Sequence, residues 1–347
     1  MKKIAILGST GSIGKQTIEI IRKNKKKFKI LLLTANKNHS LLSRQIKEFN
    51  VKNVIISDPK SYLILKKKFK NINIINDLNK IDKITSSKFD YTMSAISGFN
   101  GLKPTIKIIK KTKILAIANK ESIICGWDLI KRQLDKHNTK FIPVDSEHFS
   151  LWYGLNNLKT GTVEKIYLTA SGGPFYKMPL SKFKKITINQ ATKHPNWKMG
   201  KKISIDSATM MNKGLELIEA CYLFSMNHRK IEVVIHPESI IHSCVEYTDG
   251  SMLAQMGTPD MKTPISFTLA YPERINTNVK KLDLCKVKQL TFLKPDMKKY
   301  PCLELAYNSI EIGKSAPTIL NAANEIAVDS FLKKKIKFLS ISKVVEK

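Results

Sequence analysis

Cysteine is sparse and unpatterned in this sequence. The five cysteines (Cys125, Cys221, Cys244, Cys285 and Cys302) stand singly among 347 residues, with no C-x-x-C pair. An odd count of isolated thiols fits no closed disulfide framework, so buried or reduced thiols are expected. Long apolar runs are missing too, and none is long enough to span a bilayer. Residues 4–7, behind Met1-Lys2-Lys3, imitate the start of a signal peptide. That run is far too short for a signal's apolar region, and the glycines at 8, 11 and 14 break it. A cytoplasmic location and no membrane partner are expected.

Arginine is scarce as well. Of 60 basic residues only Arg22, Arg44, Arg132, Arg229 and Arg274 are arginines, and with 28 acids the formal charge is +32. A nucleic-acid surface draws on arginine, whose planar fork contacts bases and phosphates bidentately. The lysines here are spread over the whole length, alongside abundant Ile and Asn. That is the pattern of codon bias in an AT-rich genome, expressed at solvated positions. With the charge gathered in no one segment, no nucleic-acid partner is expected. What remains is ordinary for a globular protein: 42% hydrophobic and 25% charged residues. The length suggests two or three domains.

Short apolar runs at 2–7, 28–35, 51–57, 91–96, 113–118 and 140–145 read as strands. Helical patterns at 14–24, 104–111 and 123–134, and a lysine-rich one after the third run, separate them. Such alternation implies βαβ units and a parallel sheet covered on both faces. Residues 1–145 are therefore expected to form a doubly wound, Rossmann-like nucleotide-binding domain. Beyond it, "VEKIYLTA" (163–170) reads as a strand and 207–226 as one helix. "VVIHPESIIHSCVEYTDGSMLAQM" reads as strands joined at Asp249-Gly250, a strong hairpin signal. This α+β texture gives way to helix from Pro301.

Between the first strand and helix lies "GSTGSIGKQT". A triphosphate loop needs glycine where Ser9 stands and Ser or Thr where Gln16 stands, so that reading fails at two mechanistic positions. Gly8, Gly11 and Gly14 also slip from G-x-G-x-x-G, yet they serve the same physics. They give a tight turn, a close approach to pyrophosphate, and helix–strand packing. The N–H groups around residues 10–13 then face an anion at the helix N-terminus. A ligand-free glycine turn is the alternative. The second strand ends "TANKNHS", with no acid for a ribose hydroxyl. Asn36, Lys37 and Asn38 offer donors and a cation that suit a 2′-phosphate, so NADP is expected rather than NAD.

Asp145 and Glu147 sit at a strand end with i, i+2 spacing, which puts both carboxylates on one face. Oxygens of this kind suit a hard divalent cation, though D-x-E is also common on solvated loops. Ser207, Asn212, Lys213 and Glu216 form a polar set before and within a helical run. Ser, Asn and Lys can bind phosphate oxygens, and Glu216 can complete a three-carboxylate site. Helix capping at Ser207, with Asn212 and Lys213 in solvent, explains the set equally well. Ser171 lies beside the flexible turn of "TASGGPF". "HPNWKMG" places His194, Trp197, Met199 and Gly200 in a loop able to act as a lid, or to tuck the tryptophan onto the core. His236 and His242 lack the spacing of a zinc site and read as structural.

In order along the chain, "ILGSTGSIG", "ANKES", "PVDSEH", "SGGPF", "HPNWKMG", "KISIDSATMMNKGLE", "HPESIIHS" and "LNAANEIAV" resemble the 1-deoxy-D-xylulose 5-phosphate reductoisomerase family, to about residue 329. The resemblance implies a 146–295 catalytic domain and a C-terminal helical region over 296–347. It implies metal-assisted rearrangement of a ketose phosphate, reduction by NADPH to 2-C-methyl-D-erythritol 4-phosphate, and a homodimer. Thr10, Gly11, Ser12, Ile13, Asn36, Lys37, Asn38, Asn119, Glu121 and Gly200 would contact NADPH. Asp145, Glu147 and Glu216 would bind Mg²⁺ or Mn²⁺, with Co²⁺ a further candidate. Lys120, Ser146, Glu147, Ser171, His194, Ser207, Asn212, Lys213 and Glu216 would hold the sugar phosphate, with Lys120 and His194 among the catalytic groups. Trp197 and Met199 would lie on a closing loop. Two departures stand out. Asn36 replaces a frequent family glycine. The chain also stops at "SISKVVEK" where the family usually continues into a longer bundle; lower stability, a shortened gene and greater reliance on a dimer partner are the alternatives, and activity is expected in each. The competing readings are a simple NADP-dependent dehydrogenase and a lysine-rich nucleic-acid binder.

Overall fold

The apolar runs of the first 145 residues do become strands, and the amphipathic stretches between them helices. The structure, a computed structural model, describes residues 1–155, 160–197 and 199–347. In chain order the first elements are β1 (Lys2–Leu7), α1 (Ser12–Lys23), β2 (Phe28–Ala35), α2 (His39–Phe49), β3 (Asn53–Ile56), α3 (Pro59–Lys68), β4 (Asn73–Ile75), β5 (Phe89–Ser94), α4 (Leu102–Ile109), β6 (Thr112–Ile117), α5 (Lys120–His137) and β7 (Lys140–Pro143). There follow α6 (Ser146–Leu155), β8 (Val163–Ala170), α7 (Ile188–Ala191), α8 (Lys201–Ala208), α9 (Met211–Phe224), β9 (Ile231–Ile235), β10 (Ile241–Tyr247) and β11 (Met252–Met256). The last helices are α10 (Lys262–Ala270), α11 (Leu284–Val287), α12 (Pro301–Ile312), α13 (Ala316–Leu332) and α14 (Ser340–Glu346). No described helix is long and apolar enough to cross a membrane.

The chain forms two compact units. The first comprises Met1–Asp145 and Met261–Asn278. Its seven strands run in the order β4-β3-β2-β1-β5-β6-β7, and every pairing is parallel. The order reverses between β1 and β5, the place where ligands bind in doubly wound sheets. The turns after β1, β2, β5 and β6 all open at that carboxyl edge. Met261–Asn278 returns to this unit, although the sequence reading counted it with 146–295. Ile265 and Leu269 of α10 join the core of Ile4, Ile6 and Tyr91. The Tyr91 and Thr268 hydroxyls bond at 2.9 Å within that core.

The second unit comprises Ser146–Asp260 and Val279–Lys347. Its sheet runs β11-β10-β8-β9, with β10 antiparallel to β8 and β11, and β8 parallel to β9. Asp249-Gly250 makes the β10–β11 turn as expected. Leu217, Ala220 and Cys221 of α9 pack on Leu168 and Val233 of the sheet. Each fully buried Leu or Val side chain here contributes about 2 kcal/mol. The C-terminal helices belong to this unit.

The helix expected over 207–226 starts only at Met211, behind the separate helix α8. Thr209 Oγ1 donates back to the Ile205 and Asp206 carbonyls at 3.1 and 3.2 Å and closes α8. Met210 then takes a left-handed conformation, φ 61°, before α9 starts. The N-cap of α9 is Met210, so Ser207 does not serve as a cap.

Candidate active site

Sterics explain two of the three glycines between β1 and α1. Gly8 has φ +82°, and a Cβ there would lie 2.6 Å from the Ala95 carbonyl oxygen. A Cβ on Gly14 would lie 2.3 Å from the Gly8 oxygen, so only glycine lets α1 rest on the strand end. Gly11 is the N-cap of α1 and brings no side chain to it. The leading N–H groups of a helix have no intrahelical acceptor and favour an anion. Gly11 and Ser12 are exposed there, Thr10 and Ile13 half-buried, and Lys15 points to solvent.

At the end of β2, Asn36, Lys37 and Asn38 are exposed. Asn38 caps α2 through Oδ1, accepting the Leu41 N–H at 3.0 Å, which leaves its amide N–H groups as donors. The acid after β3, Asp58, is committed to α3, accepting from the N–H and the hydroxyl of Ser61 at 2.9 and 2.8 Å. Those bonds hold its carboxyl below the usual range. Asn119 is buried and caps α5 by accepting the Ser122 N–H at 2.8 Å. Its Nδ2 donates to the Gly98 carbonyl at 2.9 Å and to that of Ile96, pinning the loop after β5. Glu121 follows half-buried in the first turn of α5. Gly200 is the exposed N-cap of α8, where a Cβ would meet nothing within 4 Å.

Lys120 Nζ lies 3.1 Å from Asp145 Oδ2. Asp145 ends the first unit, two residues along the chain from Glu147. Ser146 Oγ donates to Glu147 Oε2 at 2.6 Å. Within the second unit, oxygens of Glu147 and Glu216 are within 4.8 Å of each other. Lys213 Nζ lies 3.0 Å from Glu147 Oε1 and donates to Glu216 Oε2, while Asn212 Nδ2 donates to Glu216 Oε1. Glu216 and Lys213 are buried. An all-carboxylate donor set with more acid than base fits a hard divalent cation such as Mg²⁺ or Mn²⁺.

A second polar group lies in the same unit. The Asn196 and Trp197 N–H groups donate to His194 Nδ1 at 3.1 and 3.0 Å. Nδ1 is therefore unprotonated, and Nε2 donates to Ser171 Oγ at 2.8 Å. The Gly173 N–H reaches the same oxygen at 3.2 Å. With two donors aimed at its lone pairs, the Ser171 hydroxyl keeps its own proton to give. Burial pulls the His194 pKa down to about 4, so the ring is neutral near pH 7. Ser207 is close by, since a Cβ on Gly173 would lie 2.7 Å from the Ser207 carbonyl oxygen. Trp197 packs 6.2 Å, centroid to centroid, from His242, and Asn196 bonds to Ser239 Oγ at 2.9 Å. Met199 is half-buried in the same loop. His236 is fully buried, its Nδ1 2.9 Å from the Thr291 carbonyl, in keeping with a structural role.

Family models match three stretches. They are 1-deoxy-D-xylulose 5-phosphate reductoisomerase over residues 4–126, its C-terminal domain over 141–224, and the DXP reductoisomerase C-terminal domain over 256–347. The reductoisomerase of Clostridium tetani is 48% identical over 352 aligned positions, covering 100% of this chain and 91% of that protein. That of Pelagibacter ubique is 48% identical and covers 100% of this chain and 90% of that protein. The chain belongs to the 1-deoxy-D-xylulose 5-phosphate reductoisomerase family. Solved reductoisomerases agree with its fold. The Zymomonas mobilis enzyme in complex with NADPH superposes with a TM-score of 0.93 at 44% identity, covering 99% of this chain and 90% of that one. A DOX-P reductoisomerase in complex with NADPH, fosmidomycin and magnesium gives 0.94 at 41% identity, covering 100% and 88%.

Two neighbours of the acid cluster are not among the expected site residues. His148 and Glu219 are fully buried beneath the acid cluster. His148 Nε2 donates to the Glu216 carbonyl at 2.9 Å, and its Nδ1 lies 3.6 Å from Glu219 Oε2. The available signal was the i, i+3 pair of acids in "LELIEA".

Proposed function

We propose that this chain converts 1-deoxy-D-xylulose 5-phosphate to 2-C-methyl-D-erythritol 4-phosphate with NADPH and a divalent metal. The observation that carries this reading is the Glu147–Lys213–Glu216 cluster, with Asp145 two residues from Glu147. Asp145, Glu147 and Glu216 would hold the metal, which supplies Lewis-acid polarisation of the ketone and its neighbouring hydroxyl. Lys120, pinned by Asp145, would neutralise charge developing on substrate oxygen. Ser171, Ser207, Asn212, Lys213 and neutral His194 would anchor the phosphate, with Ser146 holding Glu147. Binding energy gathered at that remote end can be spent on aligning the reacting carbons. The loop with Trp197 and Met199 would exclude water.

Residues 10–13 and the donors at 36–38 would seat the pyrophosphate and 2′-phosphate of NADPH, with Asn119, Glu121 and Gly200 lining the same cofactor. The homodimer belongs to this reading. Edge strand β11 leaves Met252 at 55% and Leu253 at 40% exposure, an apolar edge that a second copy can cover. Five free cysteines support a reducing, cytoplasmic setting.

Proton NMR of the product decides between this reading and a simple dehydrogenase. Rearrangement puts the methyl group on a carbon without hydrogen, giving a singlet. Direct reduction of the ketone gives a methyl doublet, and that result overturns the proposal.

A further inference from the structure

The turn assigned above to the cofactor pyrophosphate is gripped from outside by a residue no motif contains. Ser9 is 0% exposed and Gln45, in the middle of α2, is 2% exposed. Ser9 Oγ donates to Gln45 Oε1 at 2.8 Å, and Gln45 Nε2 donates back to the Ser9 carbonyl at 3.0 Å. The amide has one orientation, because a flipped amide would set its oxygen against the carbonyl oxygen. The Ser9 N–H donates to the Thr34 carbonyl at 2.8 Å, and the Gly8 N–H to Thr34 Oγ1 at 2.9 Å. Every polar group of Ser9 is thus tied to β2 or α2. Ser9 also stands where a triphosphate loop would need glycine, and glycine would have no hydroxyl for Gln45.

We infer that Gln45 is a positioning residue for NADPH. It touches no part of the cofactor. It fixes the turn, itself closed by the Gly11 N–H donating to the Gly8 carbonyl at 3.1 Å, that aims the N–H groups of Thr10, Ser12 and Ile13, so that binding does not have to order them. A buried polar pair of this kind is costly to half-remove, because the remaining partner stays desolvated and unpaired. The clamp sits two helical turns from Asn38, about 10 Å along α2. It therefore acts on the pyrophosphate, which NADPH and NADH share, and not on selectivity between them. This inference rests on the NADPH reading.

The test is fluorescence titration of NADPH and of NADH into wild-type protein and Gln45→Met, with thermal melting to confirm folding. Met keeps the volume and removes both hydrogen bonds. The expected result is a rise of about tenfold in both dissociation constants, by one common factor. KM for the sugar phosphate at saturating NADPH should stay unchanged. Unchanged dissociation constants in folded Gln45→Met overturn the inference, and so does a shift confined to NADPH. Ser9→Ala keeps the Gln45 bond to the backbone and decides the matter if Gln45→Met does not fold. A smaller, equal rise for both cofactors supports the clamp, and no rise overturns it. Wild-type protein that binds neither cofactor overturns the NADPH reading itself.

Discussion

Lys213 Nζ lies 3.0 Å from Glu147 Oε1 while also donating to Glu216. One buried ammonium thus offsets two carboxylates that the account assigns to a divalent cation. Lys213→Met should cost about 3 kcal/mol in metal-free protein, because it strands charge that the lysine neutralised. Added Mg²⁺ should then raise the melting temperature more in the variant than in wild type. Melting curves with and without Mg²⁺ check this, and equal metal-free stability would refute the pairing.

Glu216→Gln keeps the shape and the helix but removes one carboxylate charge. Turnover should fall on the order of 100-fold or more. NADPH affinity should be retained, since the nucleotide turn lies in the other unit. Retained turnover would remove Glu216 from the site.

His194 gives a pH signature. Its folded-state pKa is near 4, below the ordinary 6.5, so the unfolded chain binds the extra proton first. The stability of the neutral, buried ring is present above pH 6.5 and lost as pH falls towards 4. The melting temperature of wild type should drop across that window, and that of His194→Gln less steeply. Parallel curves would count against the neutral, doubly held imidazole.

Much of this was legible in the chain. The strands β1, β2 and β8 and the Asp249-Gly250 hairpin follow from local periodicity and turn chemistry. The acids at 145 and 147 are not the strand pair their spacing suggested: β7 ends at Pro143, and Glu147 lies in the first turn of α6. The break at Met210 was not legible, because a methionine in a left-handed conformation runs against its own propensity. Nor was the return of α10 to the first unit, since an apolar helix does not say which core it joins. The partners Gln45 and Ser9, or His148 and Glu219, lie far apart in sequence and meet only through tertiary packing.

Selectivity for the phosphorylated cofactor should reside after β2, where no free acid stands and Lys37 is exposed. Lys37→Ala should raise KM for NADPH roughly tenfold and leave NADH use unchanged. Equal effects on the two cofactors would place the 2′-phosphate elsewhere.

The most direct test of the central claim follows NADPH oxidation with 1-deoxy-D-xylulose 5-phosphate after thorough chelation, then with Mg²⁺ or Mn²⁺ restored. The account predicts oxidation that disappears with the metal and returns with it. Oxidation that continues unchanged in the chelated protein would contradict the three-carboxylate mechanism.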